Sequence, residues 1–511
     1  MMKYSGLKYQ FMLERTEMEV DSVPIVNDTK KGTSSTGVSS KNVPTLDVEV
    51  RAELRKLGHP ITYFGEDNAD RRERLIKILS EQHHTNFDFD YVMEEDNEPA
   101  KNGEFGSENE DDEDDDEDFY TPGSQELYEA RVNILHFSLK RARNRVREQQ
   151  QISKNQNFIK ILKHRRHINS VLSRYELYGS QIIQGNTRAL SAVRFSKNDS
   201  LIACGSWDGG IYILNKSDLK TMYTSASGYH TEKASAIDWD IYTESNHLVS
   251  GGNEGNVQVW KVPEEKVGTT AKLKPSVSIN GAHDARVTRT LFHPTGSFIA
   301  STSFDQTWKL WDINRPEEAL LQQEGHSKEI FAGSFHQDGS LFATGGLDAI
   351  GRVWDLRSGR SIATLEGHIK GIYSIDWSPN GYHLATASGD CSVKIWDVRR
   401  LQRGNGEAFS IPAHTKIVSE VRYFSRRDKN DILSTEVTGE NGEDASTLDS
   451  NGTFLATSSY DGLVNIWSAD NFVKVKSLKG HNDKVMSCDI SGDGSTIVSS
   501  GWDRSVKLWS K

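Results

Sequence analysis

A fixed distance between a histidine and a tryptophan recurs through the C-terminal two-thirds of this 511-residue chain. The distance is 28 positions in four pairs: His283 and Trp311, His326 and Trp354, His368 and Trp396, and His481 and Trp509. It is 30 positions from His230 to Trp260, and 53 from His414 to Trp467, which is the same unit with a 25-residue insertion. A unit repeated about every 40–45 residues predicts stacked copies of one supersecondary structure.

Two further registers fall in phase with the tryptophans. Six residues before each tryptophan is an acid: Glu254, Asp305, Asp348, Asp390, Asp461 and Asp503. Four residues before each acid is a hydroxyl residue: Ser250, Ser301, Thr344, Thr386, Thr457 and Ser499. A buried indole N–H and a buried imidazole both need hydrogen-bond partners, and these residues can supply them in series. The spacing therefore predicts structural histidines, not catalytic or metal-binding ones.

Short β-rich runs such as SFIASTS and TWKLWD, separated by turn residues, fill each unit. Asp208, with Cys204 and Leu214 in the hydroxyl and tryptophan places, adds a seventh unit. These repeats resemble the WD-repeat β-propeller family over residues 177–511, which implies an all-β, seven-bladed propeller. Because the last unit ends two residues after its tryptophan, we expect residues near Tyr178–Ile183 to supply its missing outer strand and close the ring.

The residue before each turn acid is expected on one rim of the propeller, by analogy with other propellers. Trp207, Tyr460 and Trp502 fall on adjacent blades once the ring closes, and Phe304 occupies the same position on another blade. Exposed aromatic side chains are frequent interaction hot spots, so this top-face patch is a candidate partner site. The alternative, local packing against neighbouring loops, remains open.

The charge of the chain is unevenly distributed. Its formal net charge is -12, yet residues 94–118 alone carry 15 acids and one lysine. Such a run cannot bury apolar surface, which predicts a disordered linker over 81–125, and we also expect disorder over 1–45. No apolar stretch is long enough to span a membrane, no signal peptide is expected, and three cysteines are too few for a disulfide scaffold. The chain is therefore expected to be soluble and intracellular.

Residues 126–175 form a basic segment without glycine or proline, which predicts one or two helices that link to the propeller. Over 126–174 it has 12 basic and 3 acidic side chains. Its basic groups are candidates for contacts with RNA phosphates or with a nuclear import receptor, although a solvated helix face is equally consistent with the composition. The candidate residues are Arg141, Arg143, Arg145, Arg147, Lys163, Arg165 and Arg166.

Residues 46–80 form a compact module in which helical spacing of apolar residues predicts two short helices around the loop GHPITYFGED. The string RKLGHPITYFGEDNADRRERL resembles the splicing factor motif. The matching positions, which the resemblance marks as partner-binding, are Leu57, Gly58, Pro60, Ile61, Phe64, Gly65, Glu66, Arg71, Arg72 and Arg74. The motif, a basic helical stretch and a C-terminal propeller together resemble the family of WD-repeat subunits of the U4/U6 small nuclear ribonucleoprotein.

That resemblance implies a nuclear, non-catalytic scaffold without cofactor, metal or small-molecule substrate. It implies partners among the U4/U6 particle proteins, a cyclophilin, and the U4 and U6 RNAs, contacted directly or through proteins. A role in assembly of the tri-particle with U5 follows from the same resemblance. Two repeats end in Trp-Asp-x-Arg, at residues 354–357 and 396–399, so a substrate receptor of a cullin ubiquitin ligase is the alternative. A chromatin-associated propeller would require a peptide in the central channel. Nucleotide-binding, serine-hydrolase and zinc-protease motifs do not occur.

Overall fold

The structure is a computed structural model that describes residues 47–57, 59–60, 71–78, 123–154, 157–263, 271–403, 406–427 and 450–511. The chain divides into two units, Met1–Asp116 and Glu117–Lys511. The predictions for 1–45, for nearly all of the linker 81–125 and for most of the insertion in the sixth repeat lie outside the described residues.

The first unit contains a small helical core. Helix α1 spans Asp47–Lys56, and residues 71–78 form a second helix, α2. Val50 and Leu54 of α1 are fully buried against Leu75 of α2. The acids in the first turn of α1 and the basic residues in its last turn favour the helix through its dipole. The two helices expected over 46–80 are thus present.

The second unit is a ring of seven β-sheets, which confirms the predicted seven-bladed propeller. Blades one to four contain β2 to β18, whose ranges are Leu190–Phe195, Leu201–Ser206, Ile211–Asn215, Thr221–Ser225, Ala234–Trp239, His247–Gly252, Val257–Lys261, Ala271–Leu273, Pro275–Ile279, Val287–Phe292, Phe298–Ser303, Trp308–Asp312, Leu321–Gln323, Ile330–Phe335, Leu341–Gly346, Gly351–Asp355 and Arg360–Leu365. Blades five to seven contain β19 to β29 and β1, whose ranges are Ile372–Trp377, His383–Ser388, Ser392–Asp397, Glu407–Pro412, Val418–Tyr423, Phe454–Ser459, Leu463–Ser468, Lys474–Lys479, Val485–Ile490, Thr496–Gly501, Ser505–Ser510 and, for β1, Glu176–Ile182.

The ring closes as the sequence predicts. Strand β1 pairs antiparallel with β29, with Leu177 opposite Trp509 and Ile182 opposite Ser505. Since β1 precedes the first blade in the chain, this pairing ties the two ends of the ring together. The first blade departs from the pattern, because β9, from a long connection in the second blade, pairs parallel with its outer strand β5.

The predicted hydrogen-bond series is present in blades two to seven. In blade five, His368 Nδ1 lies 2.8 Å from Asp390, His368 Nε2 lies 2.7 Å from Thr386 Oγ1, and the Trp396 indole donates to the same hydroxyl at 2.8 Å. In blade three, burial alone would raise the pKa of Asp305, but hydrogen bonds from His283 and Thr307 outweigh it and hold the pKa at about 2. The imidazoles therefore serve the fold, as predicted.

Two helices link to the ring, as expected for the basic segment. Helix α3 spans Gln125–Lys154 and helix α4 spans Phe158–Leu172. The Asn157 side chain caps α4 by accepting from the backbone of Ile159 at 3.0 Å. We call the ends of the blades that carry the turn between the second and third strands the top face, and the opposite ends the bottom face.

Candidate docking surfaces

A buried ion cluster links innermost strands of the propeller across its central channel. Glu420 of blade six lies 3.2 Å from Arg289 of blade three, across the ring, and also pairs with Arg194 of blade one. Arg422, on the same strand as Glu420, lies 3.5 Å from it. Although burial acts to raise the pKa of Glu420, the three guanidinium groups hold it well below its usual range. Glu420 is thus the anion that joins three blades.

A cavity of about 130 Å³ lies on the bottom side of this cluster. Asp238, Asp376 and Asp489 line it, and each accepts a hydrogen bond from a backbone N–H of the following blade. Burial raises the pKa of both Asp238 and Asp376 to about 6, against the opposing effect of nearby arginines. These carboxyl groups are therefore engaged in joining neighbouring blades.

The predicted top-face patch surrounds the upper mouth of the channel. The rings of Trp207 and Trp502 pack edge to face with centroids 5.3 Å apart. Phe304 lies on the far side, with its ring centroid 5.1 Å from that of Phe331, and the Phe331 centroid lies 5.2 Å from that of Tyr373. The structure thus brings Trp207 and Trp502 together and links Phe304 to the mouth through two aromatic residues that the sequence reasoning missed.

The patch is less exposed than expected, which corrects that part of the prediction. Trp207, Tyr460, Trp502 and Phe304 are all half-buried. Cationic side chains cover their faces: Lys484 Nζ lies 4.1 Å from the centroid of Trp502 and 5.4 Å from that of Tyr460. Such cation–π contacts hold the rings in place.

The mouth itself has a distinct polarity. A cavity of about 60 Å³ is lined by Trp207, Arg286, Arg289, Tyr373 and Tyr460, and none of its described lining residues is acidic. The indole N–H of Trp207 has no acceptor among the described residues, and neither has that of Trp502. The top mouth is therefore lined by arginines and aromatic rings, and the two indole nitrogens beside it are buried.

Helix α3 lies on the bottom face. Its apolar residues Leu127, Ala130 and Ile134 are buried in the core of blades three and four. Further along the same face, Arg145 binds Asp338 through two nitrogens, with the closest contact at 2.6 Å, and donates to the carbonyl of Asn380 at 3.2 Å. These contacts fix the helix to turns of blades four and five.

Three of the candidate phosphate-binding residues are therefore used within the protein. Besides Arg145, Arg141 lies over the rings of Phe137 and Tyr242, at 5.2 and 6.0 Å. Arg165 of α4 lies 3.2 Å from Asp470 of blade six. Helix α4 is held beneath blades six and seven by apolar residues that include Ile168 and Leu172. The other four candidates are exposed: Arg143, Arg147, Lys163 and Arg166.

The motif module uses its arginines internally as well. Arg71 is buried and pairs with Asp47, so it joins the two helices. Arg74 donates to the backbone carbonyl of Pro60 at 2.9 Å, and Arg72 is half-buried. Leu57 packs against the module core, and Pro60 is exposed. The remaining candidates lie outside the described residues: Gly58, Ile61, Phe64, Gly65 and Glu66.

Comparison with known proteins gives two family matches. A family described as pre-mRNA processing factor 4 (PRP4) like matches residues 50–78. A second, described as WD domain, G-beta repeat, matches 179–215, 274–312, 318–355, 359–397, 435–468 and 472–510. The U4/U6 small nuclear ribonucleoprotein PRP4 of Saccharomyces cerevisiae is 40% identical over 469 residues, which cover 92% of this chain and 91% of that protein. The chain belongs to the PRP4-like family.

Relatives in plants and animals support the assignment to the PRP4-like family. The U4/U6 small nuclear ribonucleoprotein PRP4-like protein of Arabidopsis thaliana is 35% identical over 488 residues, which cover 91% of this chain and 75% of that protein. The U4/U6 small nuclear ribonucleoprotein Prp4 of Homo sapiens is 36% identical over 202 residues, 38% of this chain and 35% of that protein. These names make the chain a splicing-factor homologue with a WD-repeat propeller.

The first three strands of the second blade lie between the first two matched repeats, yet the structure shows the blade complete. Its His230 and Trp260 both bond to the hydroxyl of Ser250, at 2.8 Å each. Its outer strand is delayed by the connection that contains β9, which explains the weaker repeat pattern. The His-to-Trp register located this blade from sequence alone.

No group of three side chains suited to a metal ion occurs among the residues for which the structure gives positions. Within the same residues, no helix is both long and apolar enough to cross a membrane. The candidate docking surfaces of this PRP4-like chain are the top mouth of the channel and the outward faces of α3 and α4.

Proposed function

We propose that this chain is a non-catalytic scaffold subunit of the U4/U6 small nuclear ribonucleoprotein, and that it supports U4/U6 and tri-snRNP assembly in the nucleus during pre-mRNA splicing. The observation that carries the proposal is the joint presence of the PRP4-like module and the propeller in one chain. A yeast relative named for that particle aligns along 92% of the chain, so both parts occur together in it.

The propeller suits a scaffold because its shape is fixed by buried contacts. The cluster around Glu420 ties together blades on opposite sides of the ring, and β1 closes its circumference. A rigid surface loses little conformational entropy when a partner binds. We place a protein partner of the particle, a cyclophilin being one candidate, at the top mouth, where arginines and aromatic rings line a cavity that has no carboxylate among its described lining residues.

Contact with the U4 and U6 RNAs is assigned to the exposed part of α3. Arg143 and Arg147 are exposed one turn apart, and neither has an ion pair or hydrogen bond within the described part of the chain. Guanidinium groups in such a position can neutralise phosphates without reading sequence. RNA affinity that depends on them should fall with added salt, and salt-independent binding would exclude this role.

Two observations weigh against the other functions considered. In the Trp-Asp-x-Arg turns, Arg357 lies 3.0 Å from Asp355 and Arg399 lies 2.8 Å from Asp397, so each turn stabilises itself. The tetrapeptide thus has a local structural role without a cullin partner. A peptide threaded through the channel, as a chromatin reader of that type would need, meets the Glu420 cluster at mid-height.

Affinity purification of the tagged full chain from cell extract, followed by sequencing of bound RNA, tests the proposal. U4 and U6 RNA should be enriched together, and deletion of residues 46–80 should remove them. Trp207→Ala combined with Trp502→Ala should reduce the co-purified particle proteins. Ile369→Ala is the matched control, because Ile369 is an apolar residue that is 86% exposed on the same face. Recovery of a cullin adaptor without these RNAs would overturn the proposal.

A further inference from the structure

The outward face of α4 carries apolar side chains where a surface helix is normally polar. Phe158 is 72% exposed, Ile159 65% and Leu162 43%. The inward face of the same helix is already supplied with apolar residues, since Ile168 and Leu172 are fully buried against blades six and seven. The exposed residues therefore lie outside the buried cluster that docks the helix on the propeller.

These three residues form one compact patch with two basic side chains. Positions 158, 159 and 162 lie within the first turns of the helix, and Lys163 and Arg166 continue the same face, both exposed. The Asn157 cap fixes the start of the helix, so the patch is held in a defined geometry. We call Phe158, Ile159, Leu162, Lys163 and Arg166 the α4 patch.

The charged side chains of helix α4 itself all have one sign. Helix α4, FIKILKHRRHINSVL, contains no acidic residue, and its N-terminus adds the positive end of a helix dipole. Arg165 has its own partner in Asp470, whereas Lys163 and Arg166 form no ion pair within the described residues. A ligand that covers the patch must therefore supply both apolar surface and anionic groups.

We propose that the α4 patch binds an amphipathic helix of a partner protein, with apolar residues at helical spacing and acidic residues beside them. Apolar side chains of such a helix would cover Phe158, Ile159 and Leu162, while its carboxylates would pair with Lys163 and Arg166. RNA matches only half of this surface, because phosphates and riboses do not bury aliphatic side chains and only one of the three apolar residues is aromatic. The inference deepens the proposed function by naming the class of protein partner. The binding test below does not require the proposed function to be correct.

The chain's own acidic run is a poor occupant. Residues 94–118 contain 15 acids but a single large apolar side chain, Phe105. That segment could satisfy Lys163 and Arg166 without covering the apolar half of the patch. The surface calls for a ligand with both properties, which points to a different protein.

Fluorescence anisotropy with the full chain tests the inference. The probe is a labelled, designed helical peptide of about 20 residues, with leucines along one face and glutamates on both flanks. We expect it to bind, and the triple variant Phe158→Ala, Ile159→Ala, Leu162→Ala to bind it about tenfold or more weakly. Lys163→Ala with Arg166→Ala should weaken binding and reduce its salt dependence, whereas Ile369→Ala, the exposed apolar control, should bind like the unmodified chain.

Two further probes separate the alternatives. The same peptide with lysine in place of glutamate should bind much more weakly, because like charges then meet at Lys163 and Arg166. A labelled oligouridylate should be insensitive to the triple apolar variant. The inference is overturned if the glutamate peptide does not bind, if Ile369→Ala weakens it equally, or if only the RNA binds at Lys163 and Arg166. Circular dichroism of each variant checks that the fold is retained, so that lost binding is not lost structure.

Discussion

Replacing Arg145 with alanine should detach helix α3 from the bottom face of the propeller. Its guanidinium contacts Asp338 at 2.6 and 3.1 Å and the carbonyl of Asn380 at 3.2 Å, and it lies 5.4 Å from the ring centroid of Tyr382. The side chain of Asp338 is only 5% exposed, so without Arg145 its charge is left buried and unpaired. The loss therefore includes a desolvation penalty as well as the lost contacts.

The magnitude follows from that burial. Breaking a fully buried ion pair costs about 3–5 kcal/mol, and the 18% exposure of Arg145 reduces this through solvent screening. We expect about 2–3 kcal/mol for docking of α3, which corresponds to hydrogen exchange about 30-fold to 150-fold faster at its amides. Native-state hydrogen exchange with mass spectrometry resolves this locally, which a global unfolding midpoint of a chain with two units does not.

Arg143→Ala is the matched control, because Arg143 is two residues away on the same helix, is exposed, and has no ion pair or hydrogen bond with the described residues. It should leave the exchange of α3 unchanged. Adding Asp338→Asn to Arg145→Ala should restore part of the protection, since it removes the unpaired charge. Equal exchange rates in the two single alanine variants would refute the assignment of Arg145 as an anchor.

Three further predictions concern the propeller. Trp396→Phe leaves the Thr386 hydroxyl without its indole donor and should destabilise the protein by about 1–3 kcal/mol, measured as a lower melting temperature. Trp207→Phe removes an indole N–H that has no acceptor among the described residues, so it should lower the melting temperature less. Glu420→Gln leaves three arginines without their shared anion and should lower the free energy of chemical unfolding by about 3 kcal/mol or more. A smaller loss would show that the cluster does not hold the ring together. Burial lowers the pKa of His293 to about 4 from an ordinary 6.5, so the unfolded chain binds the extra proton first and stability is lost as the pH falls from 6.5 to 4. His293→Asn should flatten that loss by up to about 3 kcal/mol, and an unchanged slope between pH 7 and 5 would contradict it.

The fold could be predicted because each blade repeats one strict requirement. A buried indole, hydroxyl, imidazole and carboxylate satisfy one another only in one relative geometry, so the residues keep their spacing even where other positions vary. This is why the second blade, with its His230 and Trp260 30 residues apart, could still be found. The closure by β1 was predictable for a related reason, since the last repeat ended without an outer strand.

The composition of the basic segment could not predict which of its arginines anchor helix α3 and which are exposed. Composition counts arginines but does not show which way they point. The helical period does: the buried stripe of Leu127, Ala130 and Ile134 continues at three- and four-residue steps through Ser138 and Arg141 to Arg145. Extending that stripe past its apolar part would have separated the anchoring arginines from exposed ones.

The channel cluster left a signal that only a comparison of the repeats reveals. Arg289 and Glu420 are each the third residue of their innermost strand, two positions after the buried first residue. The other innermost strands have alanine or serine at that position: Ala192, Ala236, Ala332, Ser374 and Ser487. Two large opposite charges at a place otherwise kept small indicate a pair that meets across the ring. The repeat of histidine, hydroxyl residue, acid and tryptophan does not include this position of the innermost strand, so that repeat alone could not reveal the pair.

The top mouth and the α4 patch lie at opposite faces of the propeller, which makes a final prediction possible. Strands of five or six residues separate the faces by about 17–20 Å, well beyond the distance at which substitutions usually couple. The Trp207 and Trp502 double variant and the triple apolar variant of α4 should therefore weaken co-purification of particle proteins independently, with free energies that add. If instead each variant alone removes the same particle proteins completely, one partner must wrap around the edge of the propeller and occupy both surfaces.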